Sequence, residues 1–273
     1  MYKTEVFALN NICDFEYFNI PAFESKGNIF TFFSTRNGGV SGGYYSSLNL
    51  SFRKQDDIEN VVKNYGILCN RFNLNINSMV FSDQIHKDNI VRVNSSHSGF
   101  PLYGKKIYDC DALITDEREL PLVTYYADCV PIYFFDPVNE AVGLAHAGWR
   151  GTLMKIGAKV VDRMEEVFGT NPSNLLVAIG PSIGSCCYEV GGDIYDLFAS
   201  EFVGDNNFIY EEKDGKYKLD LKLCNRQQLI EKGVKSTNIY ISSYCTSCEG
   251  QYFFSYRRDK GKTGLHCAII MLR

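Results

Sequence analysis

Short runs of aromatic and β-branched residues, separated by Gly, Pro and Asn, occupy most of the chain. Such runs suit the pleated, buried surface of a β-sheet and predict a strand-rich fold. The turn signal FDPVNE at 135–140 joins two of them, so residues 131–145 are predicted to form a hairpin. The predicted strands are Ile29–Ser34, Met79–Gln84, Asn89–Val93, Ala112–Thr115, Leu122–Tyr126, Pro131–Phe135, Ala141–Ala145, Leu175–Ile179, Asn238–Ser242 and Cys267–Leu272.

Helical periodicity is restricted to a few segments, and Gly169 and Gly233 mark the ends of two of them. The predicted helices are Asp57–Phe72, Thr152–Phe168, Asp193–Glu201 and Leu221–Lys232. Strands outnumber helices and the two kinds mix rather than alternate, which predicts an α/β fold with a substantial mixed sheet. No internal repeat or linker divides the sequence, so residues 1–273 are expected to form a single domain.

The composition narrows the class of protein. A hydrophobic content of 45% and a charged content of 22% are ordinary for a globular protein. The net charge of -4 argues against nucleic-acid binding driven by bulk charge. No apolar stretch is long enough to span a bilayer and residues 1–10 lack a signal pattern, so we expect a cytoplasmic protein without a membrane partner. Its 10 cysteines should therefore stay reduced, mostly packed as small apolar side chains.

Three side chains are candidate ligands for a soft metal ion: His86, Cys129 and His146, each at the end of a predicted strand. Zinc sites that keep a coordination position open for chemistry have three protein ligands of these types. The wide sequence separations exclude a zinc finger and favour a site that the fold assembles. Taken alone, the residues leave two other interpretations open: inert packed side chains, and a metal-free nucleophilic Cys129–His146 pair.

Two arginines are candidates for binding phosphate. Arg36 lies in the Gly-rich segment STRNGGVSGG at 34–43, whose backbone N–H groups can face an oxyanion or simply form a turn. Arg150 can position phosphate or cap the helix that follows it. Alternation along a strand would point Asp128 away from Cys129. The carboxylates considered for proton transfer are Asp83, Asp111, Asp128 and Glu189.

Six sequence blocks occur in a fixed order along the chain: STRNGGVS (34–41), DQIH (83–86), ADC (127–129), HAGWRGT (146–152), IGPSIGSCCYEVG (179–191) and FFSYRR (253–258). Together they resemble the YfiH/LACC-type family, over roughly 230 residues from position 34 almost to the C-terminus. Members of that family are described as purine nucleoside phosphorylases and, formerly, as polyphenol oxidases or laccase-like proteins.

The resemblance implies a single-domain layered α/β fold like that of the deamidating cysteine hydrolases, with zinc held by His86, Cys129 and His146. It implies phosphorolysis of adenosine, guanosine, inosine and methylthioadenosine to the free base and ribose 1-phosphate, and deamination of adenosine. Catalytic roles then fall on Cys129, His146 and Arg36, while Arg36 and Arg150 would bind phosphate. The implied partners are a purine nucleoside and phosphate, and both a monomer and a homodimer remain open.

Two departures from the family pattern stand out. The sequence reads TGL at 263–265, where the family commonly has TGR, so any role of that Arg is absent or supplied elsewhere. The segment CTSC at 245–248 carries an extra thiol, Cys248. A C-x-x-C can bind zinc or act as a redox pair. Because no second C-x-x-C is present, we expect no additional metal site, and we expect Cys186 and Cys187 to pack.

Three competing functions remain after the resemblance is considered. The first is an amidase that edits a peptidoglycan precursor, with zinc or Cys129 as the reacting group. The second is a copper oxidase, but 4 histidines are too few for a multicopper enzyme, so bound Cu²⁺ would be adventitious. The third is a metal-stabilised binding module, which would need a fourth ligand beside the three.

Overall fold

The computed structural model of the chain describes residues 6–103, 106–202, 204 and 207–273. Across these residues the backbone forms 15 strands and 6 α-helices. The strands are β1 (Ala8–Ile12), β2 (Phe15–Asn19), β3 (Ile29–Ser34), β4 (Val80–Phe81), β5 (Ile90–Arg92), β6 (Ala112–Thr115), β7 (Leu122–Tyr126), β8 (Val130–Asp136), β9 (Ala141–Ala147), β10 (Leu176–Ile179), β11 (Glu189–Val190), β12 (Ile209–Lys213), β13 (Lys216–Leu219), β14 (Ile239–Ile241) and β15 (His266–Leu272).

The helices are α1 (Pro21–Glu24), α2 (Ile58–Phe72), α3 (Trp149–Leu153), α4 (Ile156–Phe168), α5 (Gly192–Glu201) and α6 (Leu221–Glu231). Short 3₁₀ turns occupy Gly43–Tyr45, Ile76–Ser78, Ser95–His97, Pro101–Tyr103 and Ser236–Asn238. Within the described ranges, no helix combines the length and apolar character that a membrane crossing requires.

The strands form two six-stranded mixed sheets and a small three-stranded sheet. The first large sheet has the order β1-β2-β3-β15-β7-β4, and only its β4–β7 pair is parallel. The second has the order β14-β10-β8-β9-β6-β5, with parallel pairs at both edges. The third consists of β11, β13 and β12. The hairpin predicted at residues 131–145 is present as the antiparallel pair β8–β9.

The two large sheets stack face to face, and helices cover their outer faces. Alternate residues of β8 demonstrate the layering: Tyr133 and Phe135 enter the cluster between the sheets. Ile132 and Phe134 enter the cluster that contains α4 and α6 residues. Helix α2 packs in the same way on the first sheet, through Tyr65 and its neighbours. Strands buried on both faces read as continuous apolar runs, which explains why the sequence marked them so clearly.

The layered α/β fold with mixed strand directions is confirmed, although the single sheet expected from the sequence is divided into two stacked sheets. The helix predicted at Thr152–Phe168 is interrupted at Lys155, which adopts a left-handed conformation (φ 60°) and separates α3 from α4. The strand predicted at Met79–Gln84 is shortened to β4, and the chain that follows it turns sharply. That turn brings the DQIH segment towards β9.

Candidate functional site

Three different elements bring His86, Cys129 and His146 together. His86 lies after β4 in a left-handed conformation (φ 60°), which only a tightly constrained turn imposes on a residue other than glycine. Cys129 directly precedes β8, and His146 lies near the end of the paired strand β9. The ligand atoms of all three lie within 4.8 Å of one another. The convergence that the predicted metal site requires is therefore present, while binding of a metal by these residues stays a prediction.

Asp111 orients two of the three side chains. Its carboxylate accepts the backbone N–H groups of Ile85, His86 and Lys87 at 3.1, 3.0 and 2.9 Å, which fixes the turn. It also lies 2.9 Å from Nδ1 of His146. Nδ1–H of His146 is thus directed to the carboxylate, which leaves Nε2 as the nitrogen with a lone pair for the site. The sequence offered Asp111 as a proton-transfer candidate, whereas the geometry makes it a positioning residue.

The two imidazoles have opposite electrostatic environments. Partial burial and the adjacent His146 lower the pKa of His86 to about 4, so its ring is neutral near neutral pH. Burial would lower the pKa of His146 as well, but the interactions with Cys129 and with the Asp111 carboxylate outweigh burial and raise it to about 9. Burial likewise opposes ionisation of Asp111, yet the hydrogen bonds from His146 and the turn hold its pKa below the usual value. The surroundings of the two histidines therefore favour a neutral ring at His86 and a protonated ring at His146.

Gly148 packs directly against this group. A Cβ atom at position 148 would lie 2.9 Å from Nδ1 of His86 and 3.2 Å from Sγ of Cys129. No side chain fits there unless the two candidate ligands move apart. The space at Gly148 is therefore needed by the ligands themselves.

A cavity of about 570 Å³ opens above the three side chains. Its size lies in the range of ordinary small-molecule sites. The cavity is lined by several basic and aromatic residues but by one acidic residue, Asp128. The other residues that line it include Gln84, Ala127, Ile183, Leu221 and Leu265. The basic residues are Arg53, Lys54, Arg150 and Arg257, and the aromatic ones are Tyr125, Trp149, Tyr188 and Tyr256. The cavity therefore combines positive charge for an anion with flat apolar faces for a ring.

Three of the cations in the cavity wall lie over aromatic rings of the same wall. The guanidinium of Arg150 lies 4.2 Å from the ring centroid of Trp149, and that of Arg257 lies 5.0 Å from Tyr188. The ammonium of Lys54 lies 5.5 Å from the ring of Tyr256. Such cation–π contacts hold long side chains in place without neutralising their charge. Of the predicted phosphate-binding residues, Arg150 is in this wall.

Arg36 is not among the residues that line the cavity. Its guanidinium donates to the carbonyl oxygens of Ser46 and Gly250, and it lies 4.9 Å from the ring centroid of Phe254. Its own carbonyl accepts the N–H groups of residues 47 and 48, so Arg36 ties the Gly-rich segment to a neighbouring loop. The structure therefore does not bring Arg36 to His86, Cys129 and His146, and the catalytic role predicted for it stays a prediction.

Asp128 contradicts the expectation from strand alternation. It lies between β7 and β8 with a positive φ of 86°, so alternation does not apply and both Asp128 and Cys129 line the cavity. Its carboxylate accepts the hydroxyl of Thr246 and the backbone N–H of Arg257, each at 2.7 Å. Because both carboxylate oxygens are engaged, Asp128 joins the segments that carry Thr246 and Arg257 to the turn between β7 and β8, which carries Cys129.

Several residues in the cavity carried no clear signal in the sequence. Arg53 and Lys54 precede α2 without a recognisable motif, and only the fold places them in the same cavity as Trp149 and Arg150. Leu265, the residue that departs from the TGR pattern, also lines the cavity. An apolar side chain therefore stands at the position where the family commonly has an arginine.

These observations define a class: a layered α/β protein in which two histidines and a cysteine meet under a cavity rich in basic residues. A sequence profile of the family described as "Multi-copper polyphenol oxidoreductase laccase" matches residues 30–273. The chain belongs to this family, the YfiH/LACC family, as the sequence blocks indicated.

Characterised relatives and solved structures agree with this assignment. The chain is 37% identical over 243 residues to purine nucleoside phosphorylase YlmD of Bacillus subtilis (strain 168), covering 88% of this chain and 87% of that protein. It is 40% identical over 240 residues to purine nucleoside phosphorylase YlmD of Geobacillus stearothermophilus, with coverages of 87% and 88%. The crystal structure of the Geobacillus stearothermophilus YlmD matches with a TM-score of 0.92 at 36% identity, covering 99% of this chain and 100% of that one.

Proposed function

We propose that this protein catalyses the phosphorolysis of purine nucleosides to the free base and ribose 1-phosphate. The observation that carries the proposal is the convergence of His86, Cys129 and His146 under a cavity lined by basic and aromatic side chains. Two relatives that align with most of the chain are named purine nucleoside phosphorylases, which supports the same reaction here. The proposed nucleosides are adenosine, guanosine, inosine and methylthioadenosine.

We propose zinc as the metal of this site. Two imidazole nitrogens and one thiolate are donors that suit zinc, and three protein ligands leave a coordination position open. The contact between Asp111 and His146 is the carboxylate–histidine pairing that commonly supports such ligands. When bound, zinc supplies Lewis acidity, which polarises an oxygen atom and lowers the pKa of water towards neutrality.

The family description mentions several copper ions, but the other histidines do not assist this site. His266 is buried, and its ring nitrogens contact the N–H of Phe254 at 2.7 Å and Oγ of Ser34 at 3.3 Å. His97 caps a 3₁₀ turn through Asn94. All 4 histidines of the chain lie in its described part. Because His266 and His97 are engaged elsewhere, the described residues offer no imidazole donor for further copper ions. The donor set therefore favours a single zinc, with copper as an adventitious occupant.

The basic residues of the cavity wall are proposed to bind phosphate. The guanidinium groups of Arg150 and Arg257 offer planar pairs of N–H donors, which match two oxygens of a phosphate. Each is held on an aromatic ring rather than by a carboxylate of the cavity, so its charge stays available. Lys54 adds positive charge to the cavity, and Arg53 lines it while its guanidinium pairs with Asp83 at 2.7 Å. These four side chains would hold the phosphate and orient it towards C1′ of the ribose.

The aromatic residues are proposed to hold the purine. Trp149, Tyr188 and Tyr256 line the cavity and offer flat faces on which a base can stack. In the reaction a phosphate oxygen bonds to C1′ while the bond from C1′ to the base breaks, and its electron pair passes to the base nitrogen, which then takes a proton. Burial, together with the negative charge of Cys129, raises the pKa of Tyr188. Tyr188 therefore keeps its proton and suits hydrogen-bond donation to the departing base.

We also propose adenosine deamination as a second activity of the same cavity. There water replaces the amino group at C6 of the purine, and ammonia leaves. The reaction needs the same base-binding faces and the same metal ligands but not the phosphate cations. Substitution of Arg150 should therefore reduce phosphorolysis more than deamination.

The proposal is tested by zinc content and by phosphate-dependent release of hypoxanthine or adenine from inosine and adenosine. The variants His86→Ala, Cys129→Ala and His146→Ala should each lose the zinc of this site and turnover, since each removes one of its three ligands, while circular dichroism stays native. His97→Ala, remote from the cavity, is the matched control and should retain both. Full activity in any ligand variant would refute the assigned site.

A second reading of the cavity has a specific observation in its favour. Cys129, His146 and Asp111 form a nucleophile–base–carboxylate sequence of contacts, as cysteine hydrolases use. An amidase acting on a peptidoglycan precursor would need this arrangement and no phosphate. Zinc-loaded protein without any purine turnover, but with Cys129-dependent amide hydrolysis, would replace the phosphorylase proposal with this one.

A further inference from the structure

A second group of metal-binding side chains lies outside the cavity. The sulfur atoms of Cys186, Cys187, Cys245 and Cys248 all lie within 4.8 Å of one another. Sγ of Cys248 is 3.4 Å from Sγ of Cys187 and 3.6 Å from Sγ of Cys186. None of the four lines the reaction cavity. From the sequence we expected no additional metal site because a second C-x-x-C was absent. The expectation did not consider the adjacent cysteines Cys186 and Cys187, which can supply the other two ligands.

The spacing of the sulfurs matches a tetrahedral metal site. Four thiolates around zinc, each about 2.3 Å from the metal, are separated from one another by about 3.8 Å. The two measured separations of Cys248 are close to that value. The packing expected for Cys186 is wrong, because Cys186 is exposed, whereas Cys187 is half-buried. A small apolar packing role therefore does not explain why four thiols gather here.

The backbone around the cluster is arranged as it is in thiolate sites. The CTSC turn closes through N–H groups of Cys248 and Glu249, which both donate to the carbonyl of Cys245 at 3.1 Å. The N–H of Gly184 donates to Sγ of Cys245 at 3.2 Å. N–H donors to a sulfur favour its charged form, and hydrogen bonds of this kind orient and tune metal ligands.

A buried cation lies beside the cluster. Lys222 of α6 is only 7% exposed, and its Nζ donates to the carbonyl oxygens of Ser242 and Tyr244 at 2.9 and 3.0 Å. The ammonium interacts electrostatically with Asp220 first, and then with Cys245, Cys186 and Glu249. A buried ammonium is costly without negative charge nearby. Zinc with four thiolates carries a net negative charge, so an occupied cluster would add to the negative charge that Asp220 and Glu249 supply to Lys222.

We propose that Cys186, Cys187, Cys245 and Cys248 bind a second, structural zinc ion. With four protein ligands the site is closed to substrate. Zinc would replace the protons of the thiols, which pass to solvent. The ion would join the segment 183–188 to the segment 245–249. Both segments reach the reaction cavity, because Ile183 and Tyr188 line it and Thr246 binds Asp128.

The structural role follows from what these two segments otherwise share. Thr246 N–H donates to the carbonyl of Ser182 at 3.1 Å, and Ser182 forms an isolated bridge with Cys245. These few backbone contacts are the link between the segments near the cluster. A zinc ion with ligands from both would add four strong bonds across the same junction and hold the wall of the cavity in position.

The test separates the two sites by metal content and by the cobalt spectrum. Protein reconstituted with Zn²⁺ under anaerobic, reducing conditions should hold one more zinc per chain than the double variant Cys186→Ser/Cys248→Ser. His86→Ala removes a ligand of the cavity site only, so this variant should keep the cluster metal. Loaded with Co²⁺, His86→Ala should show the intense near-ultraviolet thiolate charge transfer of a four-sulfur site, and adding Cys186→Ser/Cys248→Ser to His86→Ala should remove that band.

Controls keep the result interpretable. Cys186 and Cys248 are both exposed, so serine can replace them without opening the core. Cys13→Ser, a change at another exposed cysteine, should leave metal content and melting temperature unchanged. When both proteins are zinc-loaded, the double variant should melt at a lower temperature than the wild type. When both are metal-free, the two should melt at the same temperature. Equal zinc content and equal cobalt spectra in the wild type and the double variant would overturn the proposal. Formation of disulfides among these four cysteines under reducing conditions would also overturn the proposal.

Discussion

At the scale of single residues, Asp111 fixes the turn that carries His86 and the ring of His146, and Gly148 leaves room for His86 and Cys129 to converge. His86, Cys129 and His146 stand out because few residue types bind soft metals. Asp111 and Gly148 do not stand out, since a carboxylate that orients a histidine looks like any other in a sequence. Their roles depend on which atoms lie within 3 Å, and only the folded chain defines that.

Gly148→Ala should weaken metal binding and reduce turnover without unfolding the protein. Gly148 has a φ of -72°, which any residue adopts, so the change causes no backbone strain. The new Cβ would instead overlap Nδ1 of His86 at 2.9 Å and press on Sγ of Cys129. Displacement of ligands commonly lowers metal affinity by about 10- to 100-fold. The zinc dissociation constant, measured by competition with a chelator, gives the result.

The companion variant for this experiment is Gly66→Ala, which makes the same chemical change at a glycine remote from the site. A Cβ at position 66 meets no atom within 4 Å. Metal affinity in this variant should equal that of the wild type. Equal affinities in Gly148→Ala and Gly66→Ala would show that the ligands do not need the space at Gly148.

At the scale of elements, buried and strongly periodic segments were predicted well, and exposed ones were missed. Helix α2, predicted at Asp57–Phe72, begins after Asp57, whose side chain accepts the N–H of Glu59. The hairpin β1–β2 and the small β11–β13–β12 sheet were not predicted. Apart from single buried residues such as Phe15, Phe18 and Leu219, their residues are half-buried or exposed, so their sequences lack the apolar runs on which the prediction relied. The break at Lys155 was missed because lysine gives no sign of a left-handed conformation.

Gly66→Ala also belongs to this scale, because Gly66 lies in the interior of α2 and is exposed. Glycine in a helix interior costs about 1 kcal/mol relative to alanine, chiefly through backbone entropy. The substitution should therefore raise the free energy of unfolding by about 1 kcal/mol and the melting temperature by about 2 °C. Chemical denaturation measures the gain. A loss of stability would mean that α2 requires the flexibility of glycine at this position.

At the scale of the whole molecule, the number of sheets and the composition of the cavity lay beyond the sequence. A continuous apolar strand signals burial on both faces but does not specify whether a helix or a second sheet covers each face. The four basic residues of the cavity come from three distant segments, at 53–54, 150 and 257. Local patterns cannot relate such segments, and only the stacking of the sheets brings them together.

Global stability should depend on the protonation of His266, which lies in β15, a central strand of the first sheet. Burial lowers its pKa to about 3, whereas an unfolded chain has a histidine pKa of about 6.5. Between these values the unfolded state binds the extra proton, so the stability contributed by neutral His266 is complete above about pH 6.5 and is lost as pH falls towards 3. At pH 5 the loss should be about 2 kcal/mol.

The pH dependence is isolated by comparing unfolding free energies at pH 7.5 and pH 5 in the wild type and in His266→Gln. The glutamine offers an acceptor to the N–H of Phe254 but cannot take up the proton, so its pH dependence should be smaller by about 2 kcal/mol. His97→Gln, a change at a surface 3₁₀ turn, should keep the wild-type dependence. The carboxylates, His86 and His146 are common to all three proteins, so their contributions cancel in the difference. An identical pH dependence in wild type and His266→Gln would mean that this ring takes up its proton without leaving the core, and that the packing around β15 accommodates the charge.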